Sequence, residues 1–173
     1  MRIQRFDEHT PMPWANGRGT SYEIARDGGD AWNWRVAIAP IVEAGPFSVL
    51  AGVDRQLVVI DPAPLDLVID GSRLHLRRGE VSRFAGEALV DAELPEGTTR
   101  DLGLMIRRGV ASGSMMVVSS GVATGRIVVV IEESVVVVTR ESVVLETGDA
   151  LVGDRNEKVE IVSGLICALE VTS

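Results

Sequence analysis

The sequence predicts an all-β protein made of two similar halves. Short runs rich in Val, Ile and Leu recur along the 173 residues, and glycine-bearing turns separate them. β-Branched residues favour pleated surfaces, and many short strands joined by tight turns are typical of a barrel or sandwich. An internal repeat is the second observation. Together they predict two small β-barrel or jelly-roll halves packed as one compact unit.

The predicted strands are short runs of β-favouring residues between turn signals such as Asp27-Gly28 and Asp70-Gly71. A helical turn is an alternative for residues 37–43, but Pro40 and the β-branched neighbours disfavour it. The predicted strands cover residues 21–25, 34–39, 55–60, 65–69, 73–76, 88–94, 102–107, 115–119, 126–131, 135–139, 142–145 and 165–171.

The internal repeat relates residues 66–80, DLVIDGSRLHLRRGE, to residues 135–149, VVVVTRESVVLETGD, at a constant offset of 69. Each copy reads as a strand, a tight turn, a second strand, and then a glycine followed by an acid. A glycine able to take a positive φ and an acid that closes the turn would end such a hairpin. The repeat predicts a duplicated β unit, with an N-terminal half at 1–105 and a C-terminal half at 106–173.

The composition excludes several classes of function. A net charge of −8 disfavours nucleic-acid binding, which needs a cationic face. The single cysteine, Cys167, has no intramolecular disulfide partner and lies in an apolar run, which predicts a buried thiol. The first residues lack the apolar run of a signal peptide, and no stretch approaches the roughly 20 apolar residues of a membrane span. We therefore expect a soluble, cytoplasmic protein that binds neither nucleic acid nor membrane.

A glycine-rich segment at residues 13–24, PWANGRGTSYEI, is the first candidate for chemistry. Gly17 and Gly19 allow unusual backbone angles and the close approach of another group. Asn16 and Thr20 offer side-chain hydrogen bonds. The segment lacks the G-x-G-x-x-G pattern and precedes a strand, which disfavours a phosphate cradle. It fits either a structural turn or a loop that faces a ligand.

Arginines on predicted strands are the second candidates. Residues 34–39 alternate, with Arg35 followed by two alanines on one face, as expected beside the lumen of a barrel or on a solvated face. Arg55 and Arg107 each have a charged neighbour that must point to the opposite face of its strand. The planar guanidinium suits the recognition of a carboxylate by two parallel hydrogen bonds.

Catalytic and metal-binding patterns are sparse. His9 and His75 are the only histidines and are far apart in the sequence, so a histidine cluster of the kind that holds a metal is not expected, and we expect neither a metal nor another cofactor. His75 is expected to be exposed or hydrogen-bonded. Ser48 lies outside a G-x-S-x-G motif, and no nearby base would activate it. Acids such as Glu23 and Asp101 are available, but spacing alone does not pair them.

The hairpins that end in L-x-x-G-D or L-x-x-G-E resemble a turn of the cupin barrel. Five further segments, in this order, resemble the HutD/Ves family: MPWANGRGTSYEIA (12–25), WNWRVAIA (32–39), GPFSVLAGVDRQL (45–57), FAGE (84–87) and DLGLMIRRG (101–109). The resemblance covers about residues 11–109. It implies a duplicated cupin fold (a bicupin) and an association with histidine utilisation. It also implies binding of a pathway intermediate such as formylglutamate.

The candidate ligand-binding residues combine the motif positions with the arginines and the glycine-rich loop. They are Trp14, Asn16, Gly17, Gly19, Thr20, Glu23, Arg35, Phe47, Ser48, Arg55, Asp101 and Arg107. The chain departs from the family pattern at four positions. Ala15 and Arg18 replace a usual Lys and Gly, Ala37 stands where Ser is common, and Gly103 stands where Asn is expected. Loss of the Lys and Asn removes two polar groups from the expected pocket, so a ligand different from that of better-known relatives is an alternative.

Three functions remain open from the sequence. The first is a non-enzymatic protein that binds a small acid in a regulatory or buffering role. The second is a metal-independent isomerase or hydrolase of a small polar acid, with Glu23 or Asp101 as general base. The third is an interaction scaffold that uses exposed strand edges, for which a homodimer is plausible.

Overall fold

The structure, a computed structural model, describes residues 1–14, 17, 19–138 and 140–173. Within these residues the regular structure is β-strand apart from a 3-10 turn, η1 (Phe6–Glu8), which confirms the all-β class. The strands are β1 (Arg2–Gln4), β2 (Thr10–Pro13), β3 (Thr20–Arg26), β4 (Trp34–Ile41), β5 (Gly45–Pro46), β6 (Val53–Val59), β7 (Leu65–Ile69), β8 (Ser72–Leu76), β9 (Val81–Ala85), β10 (Val90–Glu93), β11 (Thr99–Arg107), β12 (Ser112–Val118), β13 (Gly121–Val138), β14 (Glu141–Leu145) and β15 (Ala150–Thr172).

The chain forms two compact units. The first unit comprises Thr10–Ser112 together with Ser173, and the second comprises Met1–His9 and Gly113–Thr172. The boundary expected from the sequence, at 105/106, lies slightly earlier and leaves the first nine residues with the N-terminal half. Among the described residues, no helix has the length and apolar character needed to cross a membrane.

The first unit contains two antiparallel sheets. The six-stranded sheet has the order β2-β3-β4-β11-β6-β9, and the four-stranded sheet has the order β5-β10-β7-β8. Strand β2 contains Pro11 and Pro13 and lies at an edge, where the missing backbone donor of proline is tolerated. The adjacent strands β4, β11 and β6 lie in the interior of this sheet, and they carry most of the side chains discussed below.

A cluster of aliphatic side chains forms the core of the first unit. Its buried members come from β4 and β6 of the larger sheet and from β7, β8 and β10 of the smaller one: Ile41, Leu57, Val59, Leu65, Leu67, Leu76, Val90 and Ala92. Burial of such side chains is the main favourable term in folding. The cluster therefore holds the two sheets face to face.

The second unit has one sheet of order β1-β15-β13-β14, to which β12 is added by pairing with β15. Strands β13 and β15 pair through several register shifts, which bend both long strands. The core is again aliphatic, and Val128, Val130, Leu151 and Ile166 are fully buried in it. Cys167 is buried and forms no disulfide, in agreement with the sequence prediction.

The two repeat copies form hairpins with the same register. In the first, Leu65 pairs with Leu76 and Ile69 with Ser72. In the second, Ser134 pairs with Leu145 and Val138 with Glu141, each residue 69 positions later. The following turns also agree, since the Glu80 carboxylate accepts from Arg77 N at 2.8 Å and the Asp149 carboxylate accepts from Glu146 N at 3.0 Å. Gly79 and Gly148 have φ values of 80° and 95°.

Several strands differ from their predicted extents. Strand β13 continues through Glu132 and Ser134, which the sequence prediction treated as a break, because strand pairing satisfies the backbone there. Strand β15 begins well before residue 165, and its alternation of buried Val159 and Ile161 with exposed Glu160 is typical of a half-buried strand. The strands β1, β2, β5 and β9 were not predicted. The segment after Trp34 is strand β4 and has no helical turn.

Candidate functional site

The first unit contains a partly open cavity of about 520 Å³. This volume is in the range of small-molecule sites, which are typically concave and mostly apolar with a few polar groups. The lining residues come from the strands β2 to β6, from β11, and from the loops beside them. They are Met12, Pro13, Trp14, Ser21, Trp32, Arg35, Ala37, Ala39, Ile41, Pro46, Phe47, Ser48, Val49, Leu50, Arg55, Gln56, Leu57, Asp101, Gly103, Leu104 and Met105.

One face of the larger sheet forms much of the cavity wall. Strand alternation directs Arg35, Ala37 and Ala39 of β4 to this face, while Trp34, Val36 and Ile38 are buried on the other. Strand β11 pairs with β4 and β6, and Met105 lies between Arg35 and Arg55 in the register. Ala37 and Ala39 leave space beside Arg35, so this face lines a cavity, which is one of the two alternatives that the sequence left open.

Arg55 is held by aromatic rings in this wall. Its guanidinium carbon lies 4.9 Å from the centroid of Phe47 and 5.2 Å from that of Phe84. A guanidinium stacks favourably on aromatic faces, and two rings restrict its orientation. Arg55 Nη1 donates to the backbone oxygen of Ser48 at 3.3 Å. Burial lowers the pKa of Arg55 from its usual value, and the nearby Asp101 opposes that effect.

Asp101 is a buried acid in the same wall, with a relative exposure of 5%. Burial raises its pKa to about 7, although the charge of Arg55 and hydrogen bonds with the backbone of Ala39 and of Asp101 itself act in the opposite direction. Desolvation disfavours the charged form of a carboxyl group. Asp101 is therefore close to half protonated at neutral pH, and it is the acid among the described residues that line the cavity.

Arg35 forms an ion pair at the edge of the cavity. Its Nε lies 2.8 Å from Glu23 Oε2, although the angle does not meet hydrogen-bond geometry. Arg26 Nε lies 3.4 Å from the other Glu23 oxygen. Glu23 is thus shared by two arginines and does not line the cavity, whereas Arg35 does.

Trp14 lines the cavity and is fixed by its neighbours in the glycine-rich segment. Its indole Nε1 donates to Ser21 Oγ at 2.8 Å, and its backbone N donates to Gly19 O at 2.8 Å. A Cβ at Gly19 would lie 2.8 Å from the Trp14 ring, so any larger residue there would displace the ring. Gly17 has a φ of 71° and donates to Trp14 O. Asn16, with Ala15 and Arg18, lies outside the described residues.

Arg107 is exposed and does not line the cavity. Its guanidinium lies 5.4 Å from the ring of Trp32, and its Nε donates to Trp32 O at 3.0 Å. Trp32 does line the cavity, so Arg107 contacts a residue of the wall without being part of the wall. The neighbouring Arg108 is directed elsewhere, since it pairs with Asp54 and Glu87.

The segment FAGE at residues 84–87 supports the cavity without lining it. Phe84 stacks on Arg55. A Cβ at Gly86 would clash with the backbone oxygens of Leu50 and Val53, so only glycine allows this close approach. Glu87 accepts from Gly52 N at 2.7 Å. The segment therefore fixes the 50–53 turn, whose first residue belongs to the cavity wall.

The candidate ligand-binding residues fall into three groups. The cavity wall contains Trp14, Arg35, Phe47, Ser48, Arg55 and Asp101. Gly17, Gly19, Thr20, Glu23 and Arg107 lie beside the wall or support it without lining it, and Asn16 is not described. The sequence prediction did not include the apolar lining residues Met12, Trp32, Leu50 and Met105, or the supporting Phe84. All five positions lie within the segments that resemble the family, and this was the signal in the sequence that could have identified them.

The two histidines belong to different units of the chain. Among the described residues, no group of three or more His, Cys, Asp or Glu side chains is arranged to hold a metal ion. His75 is exposed and its Nδ1 lies 2.5 Å from Asp66 Oδ1. His9 belongs to the second unit, where its Nε2 contacts Gly148 O at 2.9 Å, and burial lowers its pKa.

Comparison with known proteins identifies the family. The sequence model of the HutD family matches residues 6–167. The chain belongs to the HutD family. It is 36% identical over 109 residues to an uncharacterised 21.2 kDa protein in the hutC 3′ region of Pseudomonas putida, covering 61% of this chain and 57% of that protein. It is 36% identical over 120 residues to protein Ves of Cronobacter sakazakii, covering 65% and 64% respectively. The chain thus spans about three fifths of the length of these curated relatives.

Solved structures extend the similarity over the full chain. HutD from Pseudomonas fluorescens SBW25, in a formate condition, aligns with a TM-score of 0.82 at 29% identity, covering 99% of this HutD-family chain and 97% of that one. A cupin 2 conserved barrel domain protein from Leptotrichia buccalis aligns with a TM-score of 0.63 at 11% identity, covering 99% and 96%. The second similarity concerns the fold alone, and it supports a cupin-like fold for this HutD-family protein.

Proposed function

We propose that the cavity of the first unit binds a small carboxylate, such as a formylglutamate-like intermediate of histidine degradation, and that the protein has a regulatory or buffering role. The observation that carries the proposal is Arg55, a partly buried guanidinium clamped between Phe47 and Phe84 in the cavity wall. Its orientation is fixed before a ligand arrives, which lowers the entropic cost of binding.

The charges around the cavity favour an anion. Two arginines, Arg35 and Arg55, line it, and Glu23 already offsets part of the charge of Arg35. Asp101 is close to half protonated at neutral pH because burial raises its pKa to about 7. Arg55 therefore has no fully charged acid facing it among the described lining residues. A carboxylate ligand would supply that charge.

The remaining wall suits the carbon chain of a small acid. Apolar side chains such as Trp14, Trp32, Leu50 and Met105 contribute to the lining, and Ala37, Ala39 and Gly103 leave room. One charge-assisted hydrogen-bonded pair contributes roughly 1.5–3 kcal/mol. Two such pairs together with apolar burial would supply much of the roughly 8 kcal/mol of a micromolar complex.

The relatives support the connection with histidine degradation. The Pseudomonas putida relative is a protein of the hutC 3′ region, and a HutD structure from Pseudomonas fluorescens aligns with nearly the whole chain. The four departures from the family motif include Ala37 and Gly103, which line the cavity. These two small residues favour a ligand that is bulkier or less polar on this side than that of relatives with Ser and Asn.

The test is a thermal-shift and calorimetric screen with formylglutamate, formiminoglutamate and urocanate. We expect formylglutamate to raise the melting temperature of the wild type, and Arg55→Lys to lose most of that shift because an ammonium cannot stack between two rings or bind a carboxylate with two parallel bonds. Arg77→Lys is the matched control, since Arg77 is exposed on the same unit and does not line the cavity. Equal shifts in the two variants would contradict the proposal, as would the absence of any shift in the wild type.

A metal-independent enzyme is the second candidate, and one observation favours it. Asp101 faces the cavity with a pKa near 7, and this matches the requirement for a general acid or base at neutral pH. Glu23 is less suited to this role, because it is paired with Arg35 and Arg26 outside the wall. Conversion of a small acid in the presence of EDTA, detected by mass spectrometry and lost in Asp101→Asn, would support the enzyme. Unchanged substrate would support binding alone.

A further inference from the structure

We propose that Asp101 takes up a proton when a carboxylate binds beside Arg55, so that Asp101 couples ligand affinity to pH. The inference rests on the proposed function, because it concerns the same cavity. It goes further by assigning one residue a defined role. Asp101 and Arg55 lie on the neighbouring strands β11 and β6 and both line the cavity.

The first step of the argument is the environment of Asp101 without a ligand. The carboxyl group is buried, and the charge of Arg55 together with hydrogen bonds with the backbone of Ala39 and Asp101 favours its ionised form. Burial favours the neutral form and has the larger effect. The two states are thus nearly balanced at neutral pH, and a modest change in local charge would shift them.

The second step is the effect of a bound carboxylate. An ion pair with the ligand would neutralise the charge of Arg55, which is the largest effect that favours ionised Asp101. The ligand would also add a negative charge to the cavity and displace its water, and both changes favour the neutral acid. A neutral Asp101 is in addition a hydrogen-bond donor, which an ionised one is not. All these effects promote proton uptake.

The third step excludes the other ionisable groups. Within the described part of the wall, the charged side chains are Arg35, Arg55 and Asp101. On β3, the Glu23 carboxylate lies 2.8 Å from Arg35 Nε and 3.4 Å from Arg26 Nε. It therefore already forms ion pairs with two arginines, and neither of these is Arg55. A ligand at Arg55 would therefore change the equilibrium between the neutral and ionised forms of Asp101.

The coupling has a measurable consequence for affinity. Proton and ligand binding are linked, so each must strengthen the other by the same factor. Below about pH 7 Asp101 is already mostly protonated, and the affinity should be nearly constant. Above that pH the wild-type Kd should increase by up to about tenfold per pH unit, because a proton must be bound from a more dilute solution. Without proton coupling, the Kd would not increase in this way above pH 7.

The experiment is isothermal titration calorimetry of the full chain with formylglutamate near pH 7.5, in phosphate and in Tris. These buffers differ in ionisation enthalpy, so the difference in the observed heats gives the number of protons taken up. We expect uptake of most of one proton by the wild type and by the control Asp91→Asn, which changes an exposed acid of β10. Asp101→Asn should bind formylglutamate with no proton uptake and with a Kd that is independent of pH above 7.

The possible failures are distinguishable. If formylglutamate does not bind the wild type, the proposed function fails and the proton coupling fails with it. If it binds with no proton uptake, or if Asp101→Asn still takes up the proton, the coupling alone is wrong. Should Asp101→Asn not fold, NMR of the aspartate carboxyl carbons in the wild type replaces it. The buried carboxyl signal must then move towards its protonated position on addition of formylglutamate, and a stationary signal would overturn the inference.

Discussion

Arg55 and Asp101 lie on adjacent strands of one sheet, face the same cavity, and shift each other's ionisation. The acid favours the charged form of the guanidinium, and the guanidinium favours the charged form of the acid, while burial acts against both. A buried acid beside a partly buried guanidinium, with ionisation shifted by burial, is the kind of arrangement found at functional sites. Four of the following predictions concern the cavity that contains this pair, and one concerns the repeat.

Asp101 should make stability depend on pH. Its pKa rises from 3.8 to about 7 on folding, so the folded state holds a proton that the unfolded state releases between these values. Its contribution to the free energy of unfolding is therefore complete below about pH 4 and declines until about pH 7, by up to about 4 kcal/mol at about 1.4 kcal/mol per unit. Urea unfolding of the wild type and Asp101→Asn between pH 4 and 8 measures this as a changing difference. A constant difference would contradict it, and Asp91→Asn serves as the control.

Arg55→Lys should weaken the binding of formylglutamate by about tenfold to a hundredfold, because a charge-assisted bidentate pair of roughly 1.5–3 kcal/mol is replaced by a single flexible contact. The fold should be retained, since the lysine stem can occupy the space between Phe47 and Phe84. Calorimetry measures the change in Kd, and circular dichroism checks the fold. An unchanged Kd would mean that the ligand does not use Arg55.

Phe84→Leu should weaken binding several-fold although Phe84 does not line the cavity. The ring restricts the guanidinium of Arg55 at 5.2 Å, and a cation–π contact of a partly buried pair contributes about 1 kcal/mol. A positioning role predicts that the loss disappears when Phe84→Leu is combined with Arg55→Lys. Additive losses in the double variant would indicate that Phe84 acts on the ligand by another route.

Gly86→Ala should destabilise the protein by about 1–3 kcal/mol, because the new Cβ would overlap the backbone oxygens of Leu50 and Val53. Gly103→Ala is the matched control, since its Cβ would meet only the oxygen of Ala37 at 3.8 Å, an ordinary contact. Thermal unfolding compares the two variants. Similar melting temperatures would show that the 50–53 turn can move away without cost.

Glu80 and Asp149 occupy equivalent positions in the two copies of the repeat, but they should contribute differently to stability. Asp149 is buried and accepts from Arg5 Nη1, Phe6 N and Glu146 N, whereas the exposed Glu80 closes its turn through Arg77 N. Asp149→Asn should therefore lower the free energy of unfolding by about 2–3 kcal/mol, because the neutral amide lacks the carboxylate charge that strengthens these hydrogen bonds. Glu80→Gln should cost much less. Chemical unfolding tests the ranking, and equal costs would contradict it.

The sequence by itself determined the all-β class, the family and the duplicated hairpins. The pairing of Leu65 with Leu76 and of Ser134 with Leu145 follows the predicted offset, because turn chemistry and strand alternation are local properties of the chain. Alternation also indicated that Arg35 shares a face with Ala37 and Ala39, and that Arg55 and Asp54 point to opposite faces.

Only the tertiary structure decided which of these groups meet. Asp101 and Arg55 are 46 residues apart, and their proximity depends on strand order, which spacing in the sequence does not encode. Non-local packing also produces the stacking of Phe84 on Arg55, the ion pair of Glu23 with Arg35, and the hydrogen bond of Arg107 to Trp32. The raised pKa of Asp101 arises from burial by the whole unit. The individual residues were thus visible in the sequence, but the non-local packing gave them their chemistry.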